Sequence, residues 1–166
     1  MASFWTQQIA AERIARPALT ADRDAEVCIV GGGYTGLWTA YELLRAEPSL
    51  DVIVLEAETI GFGASGRNGG WVLGAIAGDR EWWSRRSGRA QVVAQDAAVR
   101  ETVGHLGQVI EHEHIDCDFV HGGTLRVAET GLERARLEKA IAYERSWGAG
   151  PPDTMLLEAG ELGERL

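Results

Sequence analysis

The chain has 166 residues, 45% of them hydrophobic and 25% charged, the size and mix of one globular domain; collagen, low-complexity disorder and a disulfide-stapled miniprotein are excluded. Its 16 Lys and Arg stand against 25 Asp and Glu, a formal charge of −9, so it repels a phosphate backbone and nucleic acid is not an expected partner. Two cysteines, Cys28 and Cys117, make neither a disulfide framework nor a paired zinc motif; with no secretory leader and no apolar run of about 18 residues, the expectation is a cytoplasmic protein that neither enters nor spans a membrane.

Residues 1–24 read as an arm: a short amphipathic stretch over 4–14, then Pro17 and a polar run at 20–24. Residues 26–30, Glu-Val-Cys-Ile-Val, form a β-branched apolar run ending at glycine, the pattern of a strand covered on both faces of a parallel sheet. After Gly31-Gly32-Gly33-Tyr34-Thr35-Gly36, apolar Leu37, Ala40, Tyr41 and Leu44 recur at i, i+3, i+4 and i+7 until Pro48, which predicts a helix with one buried face. Residues 51–56, Asp-Val-Ile-Val-Leu-Glu, repeat the strand pattern and end on an acid; a right-handed crossover makes this strand parallel to the first. Residues 60–78 carry seven of the 21 glycines without helical or alternating period, and read as a long ordered loop.

Further on, Val99, Val103, Leu106 and Ile110 mark a helix of several turns. Residues 116–120 and 124–128, around Gly122-Gly123, predict a hairpin. Thr130-Gly131-Leu132-Glu133 has the capping-box form and opens a helix through about Trp147, ended by Gly148-Ala149-Gly150-Pro151-Pro152. Residues 154–166 predict a short strand and the first turn or two of another helix.

Gly31, Gly33 and Gly36 make G-x-G-x-x-G, a weak signal alone that gains weight from its place between a strand and a helix. Glu56 then closes the second strand twenty positions after Gly36, as a dinucleotide fingerprint requires. Gly31 permits the tight turn, Gly33 lets main chain approach a pyrophosphate, and Gly36 lets the helix lie close on the strand. The helix amides offer unsatisfied donors to phosphate, and Glu56 suits an adenosine ribose while repelling a 2′-phosphate, which favours FAD or NAD over NADP. An ordinary α/β turn with a surface glutamate is the plainer reading, and the full context weighs against it.

A nicotinamide domain would proceed through a short loop into another crossover. Here Gly61-Phe62-Gly63-Ala64-Ser65-Gly66-Arg67-Asn68-Gly69-Gly70-Trp71 follows instead. Small residues let main chain run against a flat ring, Ser65 and Arg67 suit phosphate or ribityl oxygens, and Asn68 with the amides of Gly69 and Gly70 suits a ring edge. The loop reads as built for a flavin.

Residues 25–72, with Ile29-Val30-Gly31-Gly32-Gly33-Tyr34-Thr35-Gly36-Leu37-Trp38 and Gly63-Ala64-Ser65-Gly66-Arg67-Asn68-Gly69-Gly70, resemble the amino-terminal end of the D-amino-acid oxidase-like FAD oxidoreductases. Within them the gamma-glutamylputrescine oxidase-like branch is most similar, and residues 116–119 and 122–125 are similar to it less distinctively. The resemblance implies an α/β protein: a Rossmann-like FAD-binding βαβ unit with its flavin loop in residues 25–78, and the start of an α+β substrate domain in 79–166. It also implies that the chain stops before the remaining substrate-domain strands and the returning segment that completes the FAD site. The implied reaction is hydride transfer from the amine-bearing carbon of a small-molecule amine or amino acid to flavin N5, imine hydrolysis, and reoxidation of the flavin, commonly by oxygen. By position, Gly31, Gly33, Gly36 and Glu56 hold the ADP half of FAD, with Tyr34 and Thr35 in the same turn. Ser65, Arg67, Asn68 and Gly69 lie near the pyrophosphate and isoalloxazine. No residue is assigned as catalytic.

Other clusters read more plainly. His112-Glu113-His114-Ile115-Asp116-Cys117 straddles a helix end and lacks a second ligand pair, so no metal is expected and Cys117 is taken to face a core. Trp82-Trp83, with Arg80, Arg85 and Arg86, suits packing under a loop better than a binding patch. His121 sits near a substrate cavity if the hairpin belongs to the substrate domain, and is otherwise an exposed turn residue. Two rival functions remain beside the flavoenzyme: a non-catalytic nucleotide-binding fragment and an NAD-dependent dehydrogenase domain.

Overall fold

The computed structural model describes residues 3–11, 14–151 and 153–163, and the chain divides into two compact units, Met1–Trp71 and Val72–Leu166. In the first unit, helix α1 (Phe4–Gln8) is capped by Ser3, whose hydroxyl accepts from the Thr6 amide at 3.2 Å. Strand β1 (Val27–Val30) and strand β2 (Val52–Leu55) flank helix α2 (Tyr34–Ala46). The strands are parallel, with Val27 opposite Val52 and Val30 opposite Leu55, and make a two-stranded sheet. The ladder runs on past β1, because the Gly31 amide donates to the Leu55 carbonyl at 2.7 Å. Helix α2 packs on both strands and ends one residue before Glu47, as Pro48 requires. The protein is thus α/β with a small parallel sheet. The glycine-rich loop is irregular apart from one 3₁₀ turn, Ala64–Gly66.

Among its described residues the second unit is helical: α3 (Arg80–Ser87), α4 (Arg89–His112), α5 (Gly131–Ser146) and the short α6 (Ala159–Gly163). Asp79 caps α3, accepting from the Glu81 amide at 2.8 Å, and Gly88 at φ 88° turns the chain into α4. The capping box opens α5 as its sequence predicts, with Glu133 Oε2 accepting from the Thr130 amide at 2.9 Å. The core gathers Val92 and Val109 of α4 with Trp147 and Ala149 beyond α5.

Two expectations fail here. Residues 116–128 form no hairpin: among the described residues no backbone hydrogen bond joins the two arms, and Asp118 in mid-segment takes φ 52°. An isolated pair of strands is marginal without a third strand or a covering helix, and the left-handed residue breaks the alternation. The strand expected after residue 154 is also absent among the described residues, where only α6 forms, while residues 164–166 lie outside them. The expected α+β character of 79–166 is therefore not seen. Cys117, taken to face a core, is exposed in the unpaired segment.

Candidate functional site

The β1–α2 turn is built by glycine. Gly31 has φ 106°, a conformation that L side chains rarely adopt, and a Cβ on Gly36 would overlap the Gly31 carbonyl oxygen. A Cβ on Gly33 would stand 3.0 Å from the Ser65 hydroxyl oxygen, so the glycine-rich loop already lies over the turn. Among the described residues, no acceptor meets the amides of Gly33, Thr35 or Gly36 at the start of α2, and Gly36 is buried. These are the orphan donors of a helix N-terminus.

Glu56, just past β2, is turned back onto this turn. Its Oε2 accepts from the Gly32 amide at 2.7 Å and its Oε1 from the Glu58 amide at 3.0 Å, and these two amides hold its carboxyl below the usual carboxylate range. Gly32, overlooked in the three-glycine fingerprint, is buried; a Cβ there would press on Ile60 at 2.5 Å and on the Glu56 side chain. The signal was present as the unused glycine between Gly31 and Gly33.

Ser65 Oγ accepts from the Tyr34 amide at 3.0 Å, and the Gly61 amide donates to the Gly32 carbonyl at 2.9 Å. Asn68 is committed to its own surroundings: Nδ2 donates to the Tyr34 hydroxyl at 3.2 Å and the Ser65 carbonyl at 2.9 Å, and Oδ1 accepts from the Gly70 amide at 2.9 Å. The structure thus brings together Gly31, Gly33, Tyr34, Gly36, Glu56, Ser65 and Asn68. Arg67 turns away, its Nε donating to the Phe62 carbonyl at 2.9 Å and its guanidinium lying 4.8 Å over the Phe62 ring. Thr35 is exposed, and Gly69 lies beside the Trp71 ring.

In the second unit a buried ion network went unread in the sequence. Arg80 holds Glu144 through both terminal nitrogens at 2.9 Å and Asp96 at 2.9 Å, while Arg100 holds the same Asp96 oxygen at 2.8 Å. Glu144 first, then Asp96, keeps the Arg80 guanidinium charged well beyond the ordinary arginine value. Asp96 is 1% exposed, and its Oδ1 has no hydrogen-bond partner. Trp83 Nε1 donates to the Ala77 carbonyl at 3.1 Å, but Trp82 and Trp83 both stay exposed rather than packed under a loop, and Trp82 takes the Arg86 guanidinium at 4.0 Å. A shallow groove of about 540 Å³ is lined by Glu111, Asp116, Cys117, Phe119 and His121 among others. Among the described residues no group of three or more His, Cys, Asp or Glu is arranged to hold a metal, and no helix is long and apolar enough to cross a membrane.

A glycine turn opening a helix beside a small parallel sheet, met by an acid just past the second strand, defines the class: an α/β protein. Residues 26–166 match the DAO family model, described as FAD dependent oxidoreductase, so the chain belongs to the DAO family of FAD-dependent oxidoreductases. It is 41% identical over 114 residues to "Gamma-glutamylputrescine oxidoreductase" of Escherichia coli, covering 69% of this chain and 26% of that protein. It is 46% identical over 176 aligned positions to "Probable oxidoreductase OrdL" of Rhizobium meliloti, covering 98% of this chain and 37% of that protein. The chain therefore spans between a quarter and two fifths of the length of these curated relatives. No solved structure matches it significantly.

Proposed function

We propose that the chain is the amino-terminal part of an FAD-dependent oxidoreductase that oxidises a small-molecule amine or amino acid. Residues 25–78 would be its Rossmann-like FAD unit, 79–166 part of its substrate domain and 1–24 an arm. The observation that carries the reading is the convergence at one turn of unpartnered α2 amides, a carboxylate already folded back on Gly32, and a hydroxyl held by the Tyr34 amide.

These groups suit FAD on their own chemistry. The amides of Gly33, Thr35 and Gly36 are donors for pyrophosphate oxygens, aided by the positive end of α2. Ser65 accepts from Tyr34 and keeps its own proton to donate to a phosphate oxygen. Each Glu56 oxygen accepts one amide and retains a lone pair for a ribose hydroxyl, while its charge disfavours a 2′-phosphate. FAD when bound supplies the two-electron acceptor, and this chain's residues bind and orient it. The amine class rests on the name of the Escherichia coli relative and agrees with the acidic total of this chain. Two free thiols, Cys28 and Cys117, agree with a reducing, cytoplasmic setting.

The test uses the protein at its natural full length, loaded with FAD and mixed without oxygen with a panel of amines that includes gamma-glutamylputrescine. Bleaching of the flavin by an amine supports the reading. Flavin that no amine or amino acid bleaches, or a protein that takes NAD in preference to FAD, refutes it.

A further inference from the structure

The family match begins at residue 26, yet helix α1 before it reaches the glycine-rich loop. Trp5 Nε1 donates to the Asn68 carbonyl at 2.7 Å across 63 residues of chain. The edge of the same ring lies against Gly70, where a Cβ would come within 3.3 Å of Trp5 Cζ2. Phe4 braces the indole edge-on at 5.0 Å. Asn68 passes the restraint inward, to the Tyr34 hydroxyl at 3.2 Å and the Ser65 carbonyl at 2.9 Å, and Ser65 holds the Tyr34 amide. One line of hydrogen bonds thus joins Trp5 to the first residue of α2.

Residues 66–70 include three glycines, so this stretch is costly to order, and Gly70 sits at φ 76°. We infer that the amino-terminal arm is a strap: Trp5 is a positioning residue that holds the Ser65–Gly70 loop closed over the start of α2. The inference rests on the reading that this loop meets FAD. A loop fixed before the cofactor arrives spares that ordering cost on binding, so loosening it weakens FAD without touching the groups that contact it.

The experiment compares full-length wild type with Trp5→Phe, which keeps a ring but loses the N–H, and Trp5→Ala, which loses both. Arg67 lies inside the strapped stretch and gives a readout that needs no flavin: trypsin cleavage after Arg67 in the apoprotein. Cleavage is expected to speed up several-fold in Trp5→Phe and more in Trp5→Ala, with an unchanged melting temperature. The FAD dissociation constant, read by flavin fluorescence, is expected to rise roughly three- to tenfold. Faster cleavage at Arg67 in a protein that binds no FAD at any concentration would uphold the strap and refute the FAD reading. Unchanged cleavage and unchanged FAD affinity in both variants would overturn the strap while leaving the FAD reading intact.

Discussion

Glu56 shows how one side chain can serve both fold and cofactor. Its carboxylate accepts the Gly32 and Glu58 amides, and its pKa is lowered by them. A carboxyl lowered in the folded state adds stability that is complete above the ordinary glutamate range and is lost as acid takes the pH down through the lowered value. Glu56→Gln should therefore lower stability at neutral pH and change it little in acid, which flattens the acid limb of the stability curve; an unchanged acid limb by chemical denaturation would count against this role. Glu56→Ala should weaken FAD on the order of tenfold by isothermal titration. Gly36 carries a steric demand: any Cβ there meets the Gly31 carbonyl, so Gly36→Ala should cost about 1–3 kcal/mol in urea unfolding. The three fingerprint glycines and the acid were legible because their spacing coincides with the strand, helix and second strand that the apolar patterns around them predict. The contact of Trp5 with Asn68 was not, since nothing local relates residues 63 apart.

At the scale of elements, sequence reading succeeded wherever a local rule sufficed. The apolar period placed α2, the β-branched runs placed β1 and β2 within a residue or two, and the capping box marked the start of α5. Thr130→Ala should cost about 1 kcal/mol of helix stability, measured by thermal unfolding followed by circular dichroism. Val99, Val103, Leu106 and Ile110 do lie in a helix of several turns, but α4 begins at Arg89, and early in it Asp96 occupies a buried position that a pattern search reserves for an apolar side chain. That aspartate is explained only by Arg80 and Arg100, one of them from another helix. Asp96→Ala removes the carboxylate that two guanidinium groups share, although Arg80 keeps Glu144 and Arg100 keeps Asp153 at 3.7 Å, and should destabilise the protein by about 1.5–3 kcal/mol. A loss under 1 kcal/mol in a denaturant titration would show that the network is dispensable.

On the scale of the whole molecule, the described residues leave much apolar surface open: Val30 is 85% exposed, Val120 82% and Trp71 79%. The sheet has two strands, and β1 and β2 each pair on one side alone. The hairpin expected at 116–128 was misread for the same reason: alternating residues describe a strand's faces but supply no neighbour to pair with. A polypeptide of these 166 residues by itself is thus expected to aggregate and to release no peroxide with any amine, because open strand edges and apolar patches self-associate. The measurement that bears most directly on the central claim is flavin retention. Full-length wild type and Gly33→Val are saturated with FAD, desalted, and compared by visible flavin absorbance per protein. The account predicts near-stoichiometric flavin in the wild type and almost none in Gly33→Val, with the fold retained by circular dichroism; equal flavin in the two proteins would contradict it.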